Sequence, residues 1–334
     1  MKKIINDPNN VVDEMIEGYV KSYPQHVQLL EENNRAIVAV KKEEKDKVGI
    51  LIGGGSGHEP AFMGYVGYGM ADGVAVGNIF ASPSPDPIIE VSKKIDTGQG
   101  VVYIYGNYAG DLMNFGMAAE IVELEEDIKV QSIIVKDDVA SAPKEEAHKR
   151  RGIAGEFFVT KVAGASSEKG YAFDDVVRVT EEMNNNIRTM GVGLTPCALP
   201  QTGMPSFELA ADEMEIGLGH HGEPGVEKGK LQTADQIVSR LVNDILEDMP
   251  LDKGENVAVL VNGLGSTTNM ELYIMFRKVE EILTGKGITI HRSYVGDYST
   301  SLEMGGASIT IAKLTDELAQ LIDFTADCPM FTQI

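Results

Sequence analysis

The segment 53–60, Gly-Gly-Gly-Ser-Gly-His-Glu-Pro, holds the densest set of residues that could bind a ligand or react with one. It follows the apolar run 48–52, which predicts a buried strand that leads into a glycine loop. Glycines after a strand allow backbone N–H groups to approach a ligand closely. Because ligands in open α/β sheets bind at the carboxyl ends of strands, His58 is a candidate site residue. A tight turn with a surface histidine is the alternative.

The spacing within 53–60 excludes four well-known motifs. A phosphate-binding P-loop requires Lys and then Ser or Thr after its last glycine, and neither follows. A dinucleotide fingerprint and a hydrolase nucleophile elbow would both require glycine where His58 stands. A zinc site of the H-E-x-x-H type would require a second histidine where Phe62 stands. The remaining prediction is a glycine-built loop that presents one histidine.

A second candidate segment, 106–111, follows the apolar run 101–105 and ends on Asp111. The run predicts another buried strand, and a helix is expected from about 111 to 125. Asp111 therefore stands at or near the N-cap of a helix that follows a strand. It is a candidate binding or catalytic carboxylate, although aspartate also occurs at helix N-termini for stability alone.

The third candidate segment, 217–225, places His220 and His221 between glycines. Glycine offers no side chain to pack against, so the setting is not typical of core histidines. Neighbouring residues point in different directions, and one metal ion bound by both is therefore not expected. A neutral imidazole can act as a base, a ligand or a nucleophile. A polar loop without a function is the alternative.

Two further features have both a structural and a functional interpretation. The turn 262–267, Asn-Gly-Leu-Gly-Ser-Thr, could be another ligand loop or only the end of a strand. Arg150 and Arg151 form a basic pair in an acidic chain. We interpret the pair as solvated or helix-flanking, with contact to a partner or a phosphate as the alternative.

The elements that must position these residues alternate in type, which predicts an α/β fold. Helices are expected at 11–20, 111–125, 173–190 and from 234 after a capping box, and strands at 48–52, 101–105, 130–135, 257–261, 288–290 and 308–311. Glycines and prolines are concentrated at 191–203, which is typical of a domain boundary. We therefore predict an N-terminal α/β domain over 1–190 and a C-terminal α/β domain over 191–334.

Composition restricts the class of function. The chain of 334 residues is 43% hydrophobic and 24% charged, which is typical of globular proteins. Its net charge of −22 disfavours nucleic-acid and membrane-surface binding, because both of those partners are anionic. Two cysteines, no signal-peptide core and no long apolar run predict a cytoplasmic protein.

Taken together, the candidate segments resemble the substrate-binding K subunit of the dihydroxyacetone kinase family. The similarity extends over essentially the whole chain, and its motifs occur in the same order. The segments that carry the resemblance are 54–61 (Gly-Gly-Ser-Gly-His-Glu-Pro-Ala), 80–86 (Phe-Ala-Ser-Pro-Ser-Pro-Asp), 107–115 (Asn-Tyr-Ala-Gly-Asp-Leu-Met-Asn-Phe), 213–225, 261–265 with 271–273, and 300–304.

The resemblance implies two α/β domains with mixed sheets flanked by helices, and a substrate site at the strand ends near the domain interface. It implies that His221 holds a short ketose, dihydroxyacetone or a relative, as a covalent hemiaminal. It also implies that Asp111 and His58 bind the ketose hydroxyls and exchange the proton of the attacking one. The substrate-contacting loop would contain Gly55, Ser56 and Gly57. An imidazole nitrogen adds to a carbonyl but not to an alcohol, so glycerol would be rejected by chemistry.

The resemblance further implies a division of labour between proteins. This chain would bind no cofactor, and Mg-ADP or Mg-ATP would be held by a separate L-type subunit. That nucleotide would be recharged through a phosphoenolpyruvate-dependent relay. A homodimer is expected, with no nucleic-acid or membrane partner.

Three positions depart from the family pattern. Gly106 stands where Lys is frequent, Phe62 where His is common, and His220 where Ile is common. Loss of a lysine beside the substrate would change how a ketose is held. A kinase subunit for erythrulose or a related ketose is therefore an alternative. The resemblance also leaves open a ketose-sensing co-regulator of a transcription factor, because the family contains such sensors.

Overall fold

The computed structural model describes residues 2–40 and 46–334 of the chain. The described α-helices are α1 (Val11–Ser22), α2 (Pro85–Ile95), α3 (Ala109–Glu125), α4 (Glu156–Glu168), α5 (Phe173–Asn185), α6 (Ala234–Asp248), α7 (Asn269–Gly285) and α8 (Asp316–Ile322). The described strands are β1 (Val27–Leu30), β2 (Asn33–Ala39), β3 (Gly49–Ser56), β4 (Gly73–Ile79), β5 (Val101–Gly106), β6 (Val130–Val135), β7 (Ile187–Thr195), β8 (Glu213–Ile216), β9 (Glu227–Lys230), β10 (Asn256–Gly263), β11 (Thr289–Gly296), β12 (Gly305–Leu314), β13 (Ala326–Cys328) and β14 (Phe331–Gln333).

The chain forms two compact units, and neither is continuous in sequence. The first unit comprises Met1–Val135, Glu156–Glu182 and Gln320–Ile334. The second comprises Lys136–Gly155 and Met183–Ala319. These units differ from the continuous ranges 1–190 and 191–334 that the sequence predicts.

Backbone pairing explains why the two short segments belong where they do. Residues 136–155 belong to the second unit, because Val139 N donates to Thr189 O of β7 at 3.1 Å. The C-terminal segment belongs to the first unit, where Asp327 N donates to Tyr68 O at 2.9 Å. Hydrophobic patterning cannot reveal such returns, because it reports local periodicity and not the partner of an element.

The first unit contains a six-stranded mixed sheet in the order β1-β2-β4-β3-β5-β6. The strands β3, β4, β5 and β6 run parallel to one another. Strand β2 pairs antiparallel with both of its neighbours, β4 and β1. Helices α2 and α3 pack on the sheet over a core that includes Val91, Tyr103 and Phe115. Because β4 and β5 lie on opposite sides of β3, the strand order reverses at β3, which is where ligands bind in open sheets.

The second unit contains another six-stranded mixed sheet, in the order β11-β10-β12-β7-β8-β9. Only β10 and β11 pair in parallel among its described strands. Helices α6 and α7 pack on this sheet over a core that includes Leu241, Val259 and Leu272. The capping box of Thr233 and Gln236 begins α6, as the sequence predicts.

The structure differs from the sequence prediction in the glycine segment. Strand β3 continues through Gly53, Gly54 and Gly55 to Ser56, so these glycines do not form a loop. A Cβ on Gly53 would lie 2.5 Å from Ala75 O of β4. The absence of side chains here therefore allows close packing around the strand.

Two expectations for residues 173–203 are wrong. Helix α5 ends at Asn185 and β7 begins at Ile187, so a helix over 173–190 is too long. The three asparagines at 184–186 favour termination, because their side chains compete for backbone hydrogen bonds. Strand β7 continues to Thr195, so the first part of the expected 191–203 boundary is a strand.

The predicted fold class, mixed α/β sheets flanked by helices, is confirmed. Across the residues that the structure describes, no helix has both the length and the apolar character needed to cross a membrane.

Candidate functional site

The end of β3 and the turn after it position four predicted site residues, Gly55, Ser56, Gly57 and His58. Ser56 Oγ donates to Gly77 O at 2.7 Å, which ties the end of β3 to β4. Gly57 has a φ of +97°, a value that glycine adopts without strain. Its N–H donates to the Glu59 carboxylate at 3.0 Å. Burial raises the pKa of Glu59, and backbone hydrogen bonds, including that from Gly57, oppose the rise.

The His58 ring is held by two aromatic residues. It is 6% exposed and stacks on Phe80 with ring centroids 5.1 Å apart. Phe62 meets it edge-on at 6.4 Å. Both phenylalanines have positive φ, 63° for Phe62 and 56° for Phe80, which costs energy in a residue with a side chain. No local sequence pattern signals such backbone angles, so sequence reasoning missed their role in orienting His58.

Asp111 is the third residue of α3 and is 7% exposed. The N-cap is Tyr108, so Asp111 stands inside the first turn and not at the cap. The helix macrodipole stabilises a carboxylate in this turn. Burial raises the pKa of Tyr105, and the negative charge of Asp111 raises it further. The Asp111 carboxylate therefore lies near the end of β5.

The segment 80–86 connects the His58 turn to the start of α3. Asn114 Nδ2 donates to Pro83 O at 2.7 Å and to Ser82 Oγ at 3.3 Å. The same segment supplies Phe80, on which the His58 ring stacks. His58 follows β3 and Asp111 follows β5, and these two strands are adjacent and parallel. The structure thus brings His58 and Asp111 to one edge of the first unit's sheet.

His221 lies in the second unit, in the loop 217–225 that follows β8. Its Nδ1 is 3.0 Å from Glu223 Oε1, and its backbone N donates to Glu223 Oε2 at 2.9 Å. When Nδ1 donates its hydrogen to the carboxylate, the lone pair of the neutral ring is on Nε2. Sequence reasoning missed Glu223 as an orienting residue, although a carboxylate two positions from a candidate histidine could have indicated it.

The Glu223 carboxylate is surrounded by positive or hydrogen-bonding groups. Burial raises its pKa, but the hydrogen bond and charge of His221 and the charge of Arg151 outweigh this and lower it to about 2. Arg151 Nη1 is 3.7 Å from Glu223 Oε2. Arg151 Nε in turn donates to Asp138 Oδ2 at 3.0 Å. Glu223 is therefore ionised at neutral pH.

His220 faces a different environment from His221. Its Nε2 is 3.2 Å from Ser299 O, and Ser301 Oγ donates to His220 O. Burial and the charge of His221 lower the pKa of His220 to about 4, so its ring is neutral at pH 7. His220 therefore joins the loop 217–225 to the connection between β11 and β12, which is a structural role.

The turn 262–267 also has a structural explanation. Asn262 is fully buried; its Nδ2 donates to Ser299 O at 2.7 Å, and its Oδ1 accepts from Ser299 N at 2.9 Å. The side chain thus holds the same connection that His220 contacts. Within 2–40 and 46–334, no group of three or more His, Cys, Asp or Glu side chains is arranged to hold a metal ion.

Comparison with known protein families accounts for the order of these motifs. The sequence model of the Dak1 domain matches residues 17–330. This chain belongs to the Dak1 family. The resemblance to the K subunits of dihydroxyacetone kinases, inferred from the motifs, is thereby confirmed.

Dak1 relatives with curated names include both ketose types considered above. The chain is 45% identical over 331 residues to the dihydroxyacetone-binding subunit DhaK of the PTS-dependent dihydroxyacetone kinase 2 of Listeria innocua, with 99% of each chain covered. It is 41% identical to a D-erythrulose kinase of Mycolicibacterium smegmatis. That alignment covers 99% of this chain but 56% of the relative.

Two solved Dak1 structures show the same fold. One is the dihydroxyacetone kinase operon co-activator Dha-DhaQ, with a TM-score of 0.89 and 33% identity over 96% of this chain and 98% of that one. The other is the C. freundii dihydroxyacetone kinase in complex with AMP-PNP and Mg²⁺, with a TM-score of 0.90 and 30% identity. The match covers 99% of this chain and 61% of the C. freundii chain.

Proposed function

We propose that this chain is the dihydroxyacetone-binding subunit of a dihydroxyacetone kinase. The observation that carries the proposal is the His221–Glu223 pair on a glycine-containing loop, in a chain that is 45% identical over its length to such a subunit. An oriented imidazole suits a subunit that must capture a ketone and distinguish it from an alcohol.

In the proposed capture step, the Nε2 lone pair of His221 attacks the ketose carbonyl carbon. A carbon–nitrogen bond forms, the π bond of the carbonyl breaks, and the carbonyl oxygen takes up a proton from water. The ring becomes positively charged and releases its Nδ1 proton to water, while the ionised Glu223 carboxylate 3.0 Å away stabilises the charged ring. Glycerol has no carbonyl and cannot undergo this addition.

Asp111 and His58 are proposed to act on the captured ketose. Asp111 would accept the proton of the hydroxyl that attacks the phosphoryl group, and His58 would bind a hydroxyl and exchange its proton. Gly55, Ser56 and Gly57 would contact the substrate with their backbone. The stacking of His58 on Phe80 supports its part, because a fixed ring needs no reordering on binding.

The phosphoryl donor is proposed to reside on a separate L-type subunit that holds Mg-ADP or Mg-ATP. The PTS-dependent name of the Listeria innocua relative supports recharging from phosphoenolpyruvate. We also propose that this chain forms a homodimer, binds no cofactor itself and is located in the cytoplasm.

Phosphoryl transfer tests the proposal directly. The purified chain is mixed with the L subunit of a PTS-dependent kinase, its phosphoryl relay and phosphoenolpyruvate. Dihydroxyacetone, erythrulose and glycerol are then compared. We expect turnover of a ketose, none of glycerol, and none by His221→Ala with a wild-type melting temperature. Equal turnover of ketose and glycerol, or an active His221→Ala variant, would contradict it.

Two other functions have a specific observation in their favour. The similarity to a D-erythrulose kinase, together with Gly106, favours erythrulose as an alternative substrate. The similarity to the co-activator Dha-DhaQ favours a ketose sensor. Faster turnover of erythrulose than of dihydroxyacetone would select the first. The ketose sensor would be selected if this chain binds the ketose but gives no turnover with the L subunit, while the same L subunit is active with its own K subunit.

A further inference from the structure

Arg150 and Arg151 are adjacent in sequence but bind different carboxylates. Arg150 Nη1 and Nη2 donate to the Asp248 carboxylate at 2.9 and 2.6 Å. Arg188 Nε also donates to Asp248, so this cluster holds α6 against β7. The described ion pairs of Arg151 are not with Asp248: Arg151 binds Asp138 and approaches Glu223. The two neighbours therefore have different roles.

The contacts of Arg151 form a continuous chain to His221. Asp138 Oδ2 is 2.9 Å from Arg151 Nη2, and the Asp138 side chain is 2% exposed. Arg151 Nη1 is 3.7 Å from Glu223 Oε2, and Glu223 Oε1 is 3.0 Å from His221 Nδ1. The Arg151 side chain is 14% exposed, so water weakens these contacts less than at an open surface.

The backbone of the histidine loop is shaped around the Arg151–Glu223 contact. A Cβ on Gly219 would lie 2.3 Å from Arg151 Nη1 and 2.3 Å from Glu223 Oε2. Both atoms are the ends of flexible side chains, so a methyl group there would displace them with little strain elsewhere. Glycine at 219 therefore permits the guanidinium and the carboxylate to face each other.

We propose that Arg151 is a positioning residue that acts through Glu223 to orient His221 for ketose capture. Buried Asp138 fixes the guanidinium, the guanidinium attracts Glu223 Oε2, and Oε1 is thereby directed at His221 Nδ1. A partner that holds the second side of a histidine sets both its tautomer and its ring angle. The inference rests on the proposed function, because capture is the step that it improves.

A role in binding the transferred phosphoryl group would give a different signature. A phosphate-binding Arg151 would alter transfer and leave capture unchanged. A positioning Arg151 alters capture itself, in the absence of any nucleotide subunit. Capture must therefore be measured separately from turnover.

The test uses dihydroxyacetone labelled with ¹³C at its carbonyl carbon and the full chain alone. The signal of the saturated hemiaminal carbon reports capture, and titration gives the Kd. Arg151→Met keeps the length of the side chain without its charge, Arg151→Lys keeps the charge, and Gly219→Ala displaces both partners while keeping both charges. Arg188→Met is the matched control, because it removes an arginine from Asp248, a carboxylate whose described ion pairs are with Arg150 and Arg188.

We expect Arg151→Met and Gly219→Ala to raise the Kd about 10-fold, Arg151→Lys to raise it less, and Arg188→Met to change it less than twofold. Unchanged Kd values for Arg151→Met and Gly219→Ala would overturn the inference, and so would an effect on turnover alone. If Arg151→Met does not fold, Gly219→Ala and Arg151→Lys still decide. If the wild-type chain forms no hemiaminal, the proposed function itself fails and the inference with it.

Discussion

His220 and His221 are adjacent in sequence, and the structure gives them opposite chemical characters. His221 pairs with an ionised carboxylate, and its side chain is 23% exposed. His220 is buried, and its ring contacts Ser299. The adjacent positions make a shared metal ion unexpected but cannot decide which ring is buried, because that depends on the connection between β11 and β12. In the sequence, the position within the family motif, and not the chemistry of the two histidines, predicts that His221 is the residue that captures the ketose.

The buried ring of His220 makes stability depend on pH. Its pKa is lowered from the ordinary 6.5 to about 4 in the folded state, so below pH 6.5 the unfolded chain binds a proton that the folded chain does not. We expect His220 to lower the free energy of unfolding by about 3 kcal/mol as pH decreases from 6.5 to 4, seen as the difference between wild type and a variant without this ring. Urea unfolding of wild type and His220→Ile across this range measures the difference. Identical pH slopes for the two proteins would contradict the prediction.

Asp111 offers a test of catalysis at a single atom. Asp111→Asn keeps the shape of the side chain and one acceptor oxygen but removes a base, so we expect turnover to fall about 10²–10⁴-fold with little change in the Kd for the ketose. Asp174→Asn is the control, because Asp174 also stands in the first turn of a helix and its side chain is 91% exposed. Turnover of Asp111→Asn within a few fold of wild type would assign the base to another residue.

At the scale of elements, sequence predicts what is local. Strand β6 has the predicted bounds, and the capping box begins α6 where the pattern places it. Sequence fails where a distant neighbour decides the conformation. The glycines of β3 lie within the strand, where β4 packs closely on Gly53 and Phe62 on Gly54. Phe80 N donates to Ser56 O at the end of β3, so the backbone of Phe80 also depends on a distant segment. Arg151 likewise carries no local signal, since Asp138 and Glu223 reach it from separate segments.

Close packing of β3 against β4 can be tested with a single methyl group. Gly53→Ala would place a Cβ 2.5 Å from the backbone oxygen of Ala75, so the two strands must separate. We expect a loss of about 1–3 kcal/mol in the free energy of unfolding. Gly18→Ala is the control: Gly18 is exposed within α1, nothing lies within 4 Å of its Cβ, and alanine favours helix, so we expect a gain of about 0.5–1 kcal/mol. Equal effects of the two changes would show that close packing at Gly53 is not needed.

At the scale of the whole molecule, the first unit is completed by a segment that is distant in sequence. The C-terminal segment 320–334 returns to the first unit, where Leu321, Ile322, Ala326 and Cys328 are buried. Lys161 of α4 is fully buried, and its Nζ donates to Leu321 O at 3.1 Å and to Phe324 O at 2.7 Å. The C-terminal segment thus supplies two carbonyl oxygens that accept hydrogen bonds from the charged Lys161 side chain in the first unit.

We therefore expect a chain that stops after Ala319 to lose the fold of its first unit. Each large apolar side chain removed forfeits about 1.5–3 kcal/mol of burial, and the Lys161 ammonium would lose two carbonyl acceptors in a dry site. Their sum approaches the whole stability of a domain. Removal of Ile334 alone is the control, because that residue is fully exposed at 105%. Urea unfolding followed by circular dichroism compares the three proteins, and a chain of 319 residues as stable as the full one would refute the discontinuous first unit.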